Sequence, residues 1–397
     1  MKMSDNILPV DSAEASLVGR VWVPEAKSAS GEEFSGGGPC VVVLRDGLVL
    51  DLTPHTPTMA HLLNHPEPLK LLETADLTPL GSVGDIIANS PVDERDPAKP
   101  YLLSPFDLQA LKACGVTFVS SMLERVIEEQ AKGAPERAAA LRGELSEAIG
   151  AEIRNIHPGS PEAAKVKETL SAKGMWSQYL EVGLGPDAEV FTKAQPMSSV
   201  GVGADVGLHP SSTWNNPEPE VVMVARADGV IVGATLGNDV NLRDVEGRSA
   251  LLLGRAKDNN GSCALGPFIR LFDGGFGMND ARAAVVSLTV EGEDGFILKG
   301  ESNAAEISRD MADLVSQAFD CHHYPDGLAL FTGTMFAPIQ DRDAPGQGFT
   351  HKMGDIVTIS SPRFGALVNR VGNAGEIAPW TFGTSALMEN LVKRGLL

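Results

Sequence analysis

Three carboxylates in one short stretch are the first residues able to do chemistry. The stretch runs from Glu218 to Asp239 and reads Glu-Pro-Glu-Val-Val-Met-Val-Ala-Arg-Ala-Asp-Gly-Val-Ile-Val-Gly-Ala-Thr-Leu-Gly-Asn-Asp. Two β-branched apolar runs, Val221 to Val224 and Val230 to Val232, flank Asp228-Gly229. Asp-Gly between such runs is a strong hairpin signal. With Asp228 and Gly229 as the two turn residues, Glu218 falls directly across from Asp239. Glu220 shares the face of Glu218, because strand side chains alternate. Facing residues have Cβ atoms about 5 Å apart, and like charges there destabilise a hairpin. A divalent cation would offset the repulsion. The ligand set is all oxygen, with no Cys or His beside it. That favours Mg²⁺, with Mn²⁺ or Ca²⁺ as alternatives, over zinc. The same pattern also fits a solvated hairpin with an acidic face. Pro217 and Pro219 cannot donate to a ladder, so this strand is expected at an edge or a sheet entry.

Other polar groups have ordinary readings of their own. Ser121-Met-Leu-Glu124 opens a helical segment to Gln130 and has the spacing of a capping box. Lys257 stands beside Asp258 and reads as a surface lysine. Thr334 follows the apolar strand Leu328 to Phe331 and reads as a turn hydroxyl. Lys193 lies in a predicted loop, where a lysine is usually solvated. His209 beside Pro210 is left out of the site for the same reason.

The elements that must position these groups are strand-rich. Gly19 to Val23, Cys40 to Leu44 and Leu48 to Leu52 read as strands, the last two joined at Asp46-Gly47. Short helices are predicted around Met59 to Leu63 and Pro68 to Thr74, and a Pro-rich, charged linker at 91–105. Phe106 to Cys114 is predicted as a short helix and Gly115 to Val119 as a strand. Ala138 to Ile149 and Pro161 to Ala172 are Ala-, Glu- and Lys-rich helices, read as an arm inserted over the site. Tyr179 to Val182 and Ala188 to Thr192 are predicted strands, and Gly266-Pro267 a turn before the strand Phe268 to Leu271. Ala283 to Val290 with Phe296 to Lys299 form a hairpin, Ala304 to Ala318 a helix, and Asp355 to Ser360 and Ala366 to Val371 the closing strands. The domain division predicted is 1–104 as a small N-terminal unit with its linker and 105–397 as the catalytic unit, with a helical insert at about 121–172.

Bulk properties narrow the classes. The chain has 397 residues, 43% hydrophobic and 21% charged, enough for a large core. Its 42 glycines suit many turns and strands. A formal net charge of −20 argues against nucleic acid as a partner. Cys40, Cys114, Cys263 and Cys321 are not in CxxC spacing and suggest neither zinc nor a disulfide framework. No signal-peptide layout and no long apolar run are present, so a cytoplasmic protein without a membrane partner is expected.

Taken together, the chain resembles the fumarylacetoacetate hydrolase superfamily over roughly residues 105–371. The motifs are Gly-Val-Thr-Phe at 115–118, Phe191-Thr-Lys-Ala-Gln-Pro196, Pro217-Glu-Pro-Glu220 and Asn238-Asp239-Val-Asn-Leu-Arg-Asp244. Lys257, Leu265-Gly-Pro267, Thr332-Gly-Thr334 and Gly354-Asp355 continue the order. The resemblance implies an α+β fold: a mixed β-roll catalytic domain with a helical insert and a smaller N-terminal α/β domain. It implies Glu218, Glu220 and Asp239 as Mg²⁺ ligands, Lys257 as the site lysine and Thr334 as the hydroxyl that binds the substrate carboxylate. Hydrolase and decarboxylase members carry a lid His and Glu three residues apart, after an Asn-Tyr pair. Here Ser121 and Glu124 stand there, behind Thr117-Phe118. Without the His, the resemblance points to the sugar-acid branch, which dehydrates 2-keto-3-deoxy-pentonates to 2,5-dioxopentanoate. Glu124 is then the acid/base for the departing C4 hydroxyl. Lys257 stabilises the enolate, or takes the C3 proton. Ser121, Phe118 and Lys193 join Thr334 as substrate contacts. A small 2-keto acid is the implied partner of a homodimer or homotetramer. An acylpyruvate hydrolase, an oxaloacetate decarboxylase, or a non-catalytic keto-acid binding protein could use the same metal site.

Overall fold

A computed structural model describes residues 6–25, 37–132, 137–138, 156–172, 174, 176–334, 336, 338–345 and 347–397. Its strands are β1 (Leu17–Val23), β2 (Gly38–Arg45), β3 (Leu48–Asp51), β4 (Thr78–Ser82), β5 (Tyr101–Leu102), β6 (Ala110–Gly115), β7 (Glu189–Ala194) and β8 (Asp205–Leu208). There follow β9 (Pro219–Ala225), β10 (Ile231–Asp239), β11 (Cys263–Leu271), β12 (Val285–Glu291), β13 (Ile297–Asn303), β14 (Leu328–Phe331), β15 (Ile356–Ser361) and β16 (Gly365–Asn373). One sheet runs β4-β3-β2-β1-β11-β10-β9-β14-β6-β7, with β5 also on β1. The other runs β13-β12-β15-β16-β8. Among the described strands β14–β6 and β16–β8 pair in parallel and the other pairs are antiparallel, so both sheets are mixed and the fold is α+β. Because β1 pairs with β11, the large sheet is continuous across residues 104 and 105. Among the described residues no helix is long and apolar enough to cross a membrane.

Alternation along β9 explains where the site lies. Val221, Met223 and Ala225 point into the core between the two sheets. Val222 and Val224 point into a second core, with Phe331, Cys263 and Leu265, on the other face. Glu218 and Glu220 continue that second face beyond its apolar part, because they keep the same parity. β9 is therefore buried on both sides and central, between β10 and β14, and Pro217 and Pro219 sit at its entry rather than on an edge.

The predicted register is observed, but not by the predicted turn. Gly237 pairs with Glu220 and Asn238 with Pro219, and the Asp239 N–H donates to the Glu218 carbonyl at 3.0 Å. The loop holds three residues, since Arg226 N–H donates to the Val230 carbonyl across Ala227, Asp228 and Gly229. Gly229 has φ +81°. A three-residue loop ending in a left-handed residue is the other common hairpin solution. It alone would shift every partner by one. The irregularity between Ile231 and Gly233 restores the register, as an inserted bulge residue does. The Asp46-Gly47 hairpin is a true two-residue turn, with φ +50° and +73° and Arg45 paired to Leu48.

Several local predictions fail for tertiary reasons. Phe106 to Cys114 contains β6 rather than a helix, because a parallel place beside β14 outweighs local propensity. The chain then turns at Val116, with φ +57°, so Gly115 to Val119 is not a strand. A β-branched residue there is strained. The helix that follows is Val119–Ala131, with Phe118 at its N-cap. Ser121 is inside the helix and donates to the Phe118 carbonyl at 3.1 Å, so Ser121 and Glu124 form no capping box. Tyr179 to Val182 lies in the helix Gln178–Leu184, capped by the Ser177 hydroxyl. Its Tyr179, Leu180 and Leu184 pack with Met122 and Val126 of the Val119–Ala131 helix. Gly266-Pro267 lies within β11, not before it. The helix Pro161–Ala172 is present, whereas residues 139–155 of the predicted arm lie outside the described residues.

Close packing behind the hairpin sets up one prediction. A Cβ on Gly237 would run into the Phe331 ring and lie 2.7 Å from Val222 Cγ2. Gly237→Ala is therefore expected to cost about 1–3 kcal/mol of stability, as overpacking does. Denaturant unfolding checks this.

Candidate metal and keto-acid site

Glu218, Glu220 and Asp239 are all buried and each offers an oxygen within 4.8 Å of the others. Different groups hold each one. Gly333 N–H donates to Glu220 Oε2 at 2.6 Å. Gly333 has φ +95°, and a Cβ there would collide with the Thr117 hydroxyl, so glycine is required for that N–H to reach Glu220. Lys257 Nζ lies 2.5 Å from Glu218 Oε2 and 3.0 Å from Asp239 Oδ2. Lys193 Nζ lies 2.9 Å from Asp239 Oδ1 and donates to the Val240 carbonyl at 3.1 Å. Arg125, from the Val119–Ala131 helix, lies 2.5 Å from Glu218 Oε1.

Burial and these charges set the protonation of the group. Burial raises the Glu220 carboxyl well above its ordinary value, and Asp239 and Glu218 push it further. Burial acts the same way on Asp239, but Lys193 and Lys257 outweigh it and lower the result. Burial would lower Lys257, yet Asp239, Glu218 and Glu246 overcome it and hold the ammonium above the usual lysine range. Among the described residues Glu220 accepts one backbone N–H against two carboxylate neighbours and is the least compensated member. A hard divalent cation fits that donor set.

Six of the residues named from sequence meet at this cleft. Ser121, Glu218, Glu220, Asp239, Lys257 and Thr334 line it, with the Thr334 hydroxyl accepting the Phe336 N–H at 3.0 Å. Three others do not face it. Lys193 is fully buried behind Asp239, where it pairs with that carboxylate and does not reach the cleft. The shift of register opposite Leu111 and Lys112 leaves Lys193 as an extra residue in β7, and such a bulge re-aims a side chain. Phe118 stands at the N-cap position of its helix, without a capping hydrogen bond, and lines a separate cavity with Val119 and Leu123. The Glu124 carboxylate lies 3.5 Å from Arg243, off the cleft wall.

Three residues absent from the sequence reading do line the cleft with charge: Arg125, Glu189 and Glu246. Glu189 shares a strand with Phe191, two residues on, and alternation could have found it from that neighbour. Burial, then repulsion from Glu246, raises the Glu189 carboxyl to about 7. Burial also raises Glu246, although Arg125 and Lys257 pull against it. No local signal marks Arg125 or Glu246, since the tertiary fold alone brings their segments together.

Residues 185–372 match the family model described as "Fumarylacetoacetate (FAA) hydrolase C-terminal". A Haloferax volcanii protein named "Probable 2-keto-3-deoxyxylonate dehydratase" is 33% identical over 197 residues, covering 50% of this chain and 64% of its own length. The 2-dehydro-3-deoxy-D-arabinonate dehydratase of Saccharolobus solfataricus is 31% identical over 183 residues, covering 46% of this chain and 58% of its own. The match thus spans less than two thirds of either relative. A solved structure of 2-keto-3-deoxy-D-arabinonate dehydratase, complexed with magnesium and 2,5-dioxopentanoate, aligns with TM-score 0.60 at 20% identity. That alignment covers 90% of this chain and 99% of the other, and it establishes a shared fold.

Glu189 carries a pH prediction. Its raised value means the folded protein holds that proton more tightly than the unfolded chain does. The resulting stability is complete below the ordinary 4.5 and is lost as pH rises through about 7. In metal-free protein the melting temperature is expected to fall between about pH 5 and about pH 8. Glu189→Gln should flatten that fall, which thermal melts across the range would reveal.

Proposed function

We propose that this chain, whose residues 185–372 belong to the fumarylacetoacetate hydrolase family, removes water from a 2-keto-3-deoxy-pentonate and releases 2,5-dioxopentanoate. One observation carries the reading: three buried carboxylates within 4.8 Å of one another, with the Lys257 ammonium at 2.5 and 3.0 Å from two of them. Glu218, Glu220 and Asp239 would hold Mg²⁺, or Mn²⁺ in its place. Such an ion supplies Lewis-acid polarisation of the 2-keto group and so acidifies C3.

The side chains then divide the work. Lys257 places fixed positive charge where the keto oxygen gains electron density. Thr334 offers a hydroxyl at the cleft wall, suited to the substrate carboxylate. A C3 proton must leave, and the C4 hydroxyl must depart as water. Glu189, with its carboxyl near neutrality, suits both accepting and returning protons at working pH. That makes it a better acid/base candidate than Glu124, which is turned to Arg243. The resulting enone moves a proton from C5 to C3, and the C5 enol becomes the aldehyde. Ser121 on the cleft wall cannot replace a water-activating His, which weighs against hydrolysis of an acylpyruvate.

Two outcomes are expected. Chelation with EDTA should abolish turnover of 2-keto-3-deoxy-pentonate, and Mg²⁺ or Mn²⁺ should restore it. Full activity without metal, or hydrolysis of an acylpyruvate in place of dehydration, would overturn the assignment. Separately, Glu189→Gln and Lys257→Met should each lower kcat by roughly 10²-fold or more, with Glu124→Gln changing it far less. Steady-state kinetics on the three variants ranks these roles, and a silent Glu189→Gln would return the proton transfer to Glu124.

A further inference from the structure

Arg125 joins the helix over the cleft to the carboxylates beneath it. Its guanidinium lies 2.5 Å from Glu218 Oε1, 2.6 Å from Glu128 Oε2 and 3.1 Å from Glu246 Oε2. Glu128 belongs to the same helix, Val119–Ala131, and is also bound by Arg243 at 2.6 Å. Lys257 takes the other oxygen of Glu218, at 2.5 Å. Both oxygens of Glu218 therefore already face a fixed cation. An ion entering between Glu218, Glu220 and Asp239 must share Glu218 with both. Arginine keeps its proton at any working pH, so Arg125 cannot ease the conflict by losing charge. It can only loosen its hold on Glu218. Glu128 and Glu246 remain to receive it, so release leaves no unpaired guanidinium in the interior.

We propose that Arg125 is a positioning residue that acts as a latch: the Val119–Ala131 helix and the divalent cation compete for Glu218. The inference rests on the metal-centre reading above. Coupling of this kind is reciprocal. The factor by which Arg125 weakens metal binding is the factor by which bound metal weakens the helix's tie to the site. The opposite role is also physically definite. If Arg125 instead held Glu218 in its metal-binding pose, removing it would weaken the metal.

Mn²⁺ binding, measured by the EPR signal of the free ion, separates the two. Wild-type protein, Arg125→Met, Arg125→Lys and Glu220→Gln are compared at equal concentration. Arg125→Met is expected to bind Mn²⁺ roughly tenfold tighter or more, from the loss of one nearby positive charge. Arg125→Lys, which cannot span Glu218 and Glu128 together, should fall between the two. In wild-type protein, saturating Mg²⁺ should speed amide hydrogen exchange in residues 119–131. This readout needs no variant and stands if Arg125→Met does not fold. Unchanged or weaker Mn²⁺ binding by the Arg125 variants, or slowed exchange in the wild type, overturns the latch. If wild type binds no Mn²⁺, or Glu220→Gln binds as well as wild type, the metal centre itself falls and the latch with it. If those controls behave and only the Arg125 results fail, the metal centre survives alone.

Discussion

Crowding three carboxylates into a dry pocket is the constraint on which the rest of the site depends. At 4.8 Å two unit charges repel by about 3 kcal/mol at an effective dielectric of 20. Three such pairs approach the whole stability of an ordinary domain, about 5–15 kcal/mol. The chain answers with fixed cations of its own. Lys257 bridges Glu218 and Asp239, Lys193 backs Asp239, and Arg125 faces Glu218. Glu220 receives one backbone N–H from Gly333. The arrangement leaves Glu220 undercompensated, and the proposed cation site rests on that imbalance.

Each of these cations comes from a different element, and the large sheet gathers them. β9 and β10 set Glu220 and Asp239 on one face of a hairpin, with Glu218 just before it. β7 brings Lys193 and Glu189, the turn after β14 brings Gly333 and Thr334, and the helix Leu253–Lys257 ends on Lys257. The Val119–Ala131 helix closes the assembly, reached through the strained turn at Val116. Strain of that kind persists only where the surroundings over-determine it. Here β6 on one side and the packed helix on the other do so.

The same apposition supplies a rationale for the proposed keto-acid chemistry. A lysine held charged by carboxylates lies beside the place a cation would take, and a carboxyl near neutral pKa stands on the cleft wall. The carboxyl suits proton transfer at working pH, and the lysine supplies fixed positive charge. Relatives named as dehydratases of 2-keto-3-deoxy acids agree with that chemistry.

Sequence by itself pointed to the carboxylate triad, since strand alternation around a hairpin signal needs only local periodicity. It determined most strands, whose β-branched runs are long enough to read, and an all-oxygen donor set of the kind Mg²⁺ takes. The order of the scattered motifs was enough to point to the family. Tertiary structure alone decided three things. It turned Phe106 to Cys114 into strand and Tyr179 to Val182 into helix, because neighbours in space outweigh weak local propensity. It repaired a three-residue loop with a bulge, so the right register arose from a different turn. And it chose which charges face the triad. Lys193 lies behind Asp239, Glu124 is turned to Arg243, and Arg125, Glu189 and Glu246 come in. A helix face or the aim of a bulged strand residue depends on contacts far along the chain, which no local pattern encodes.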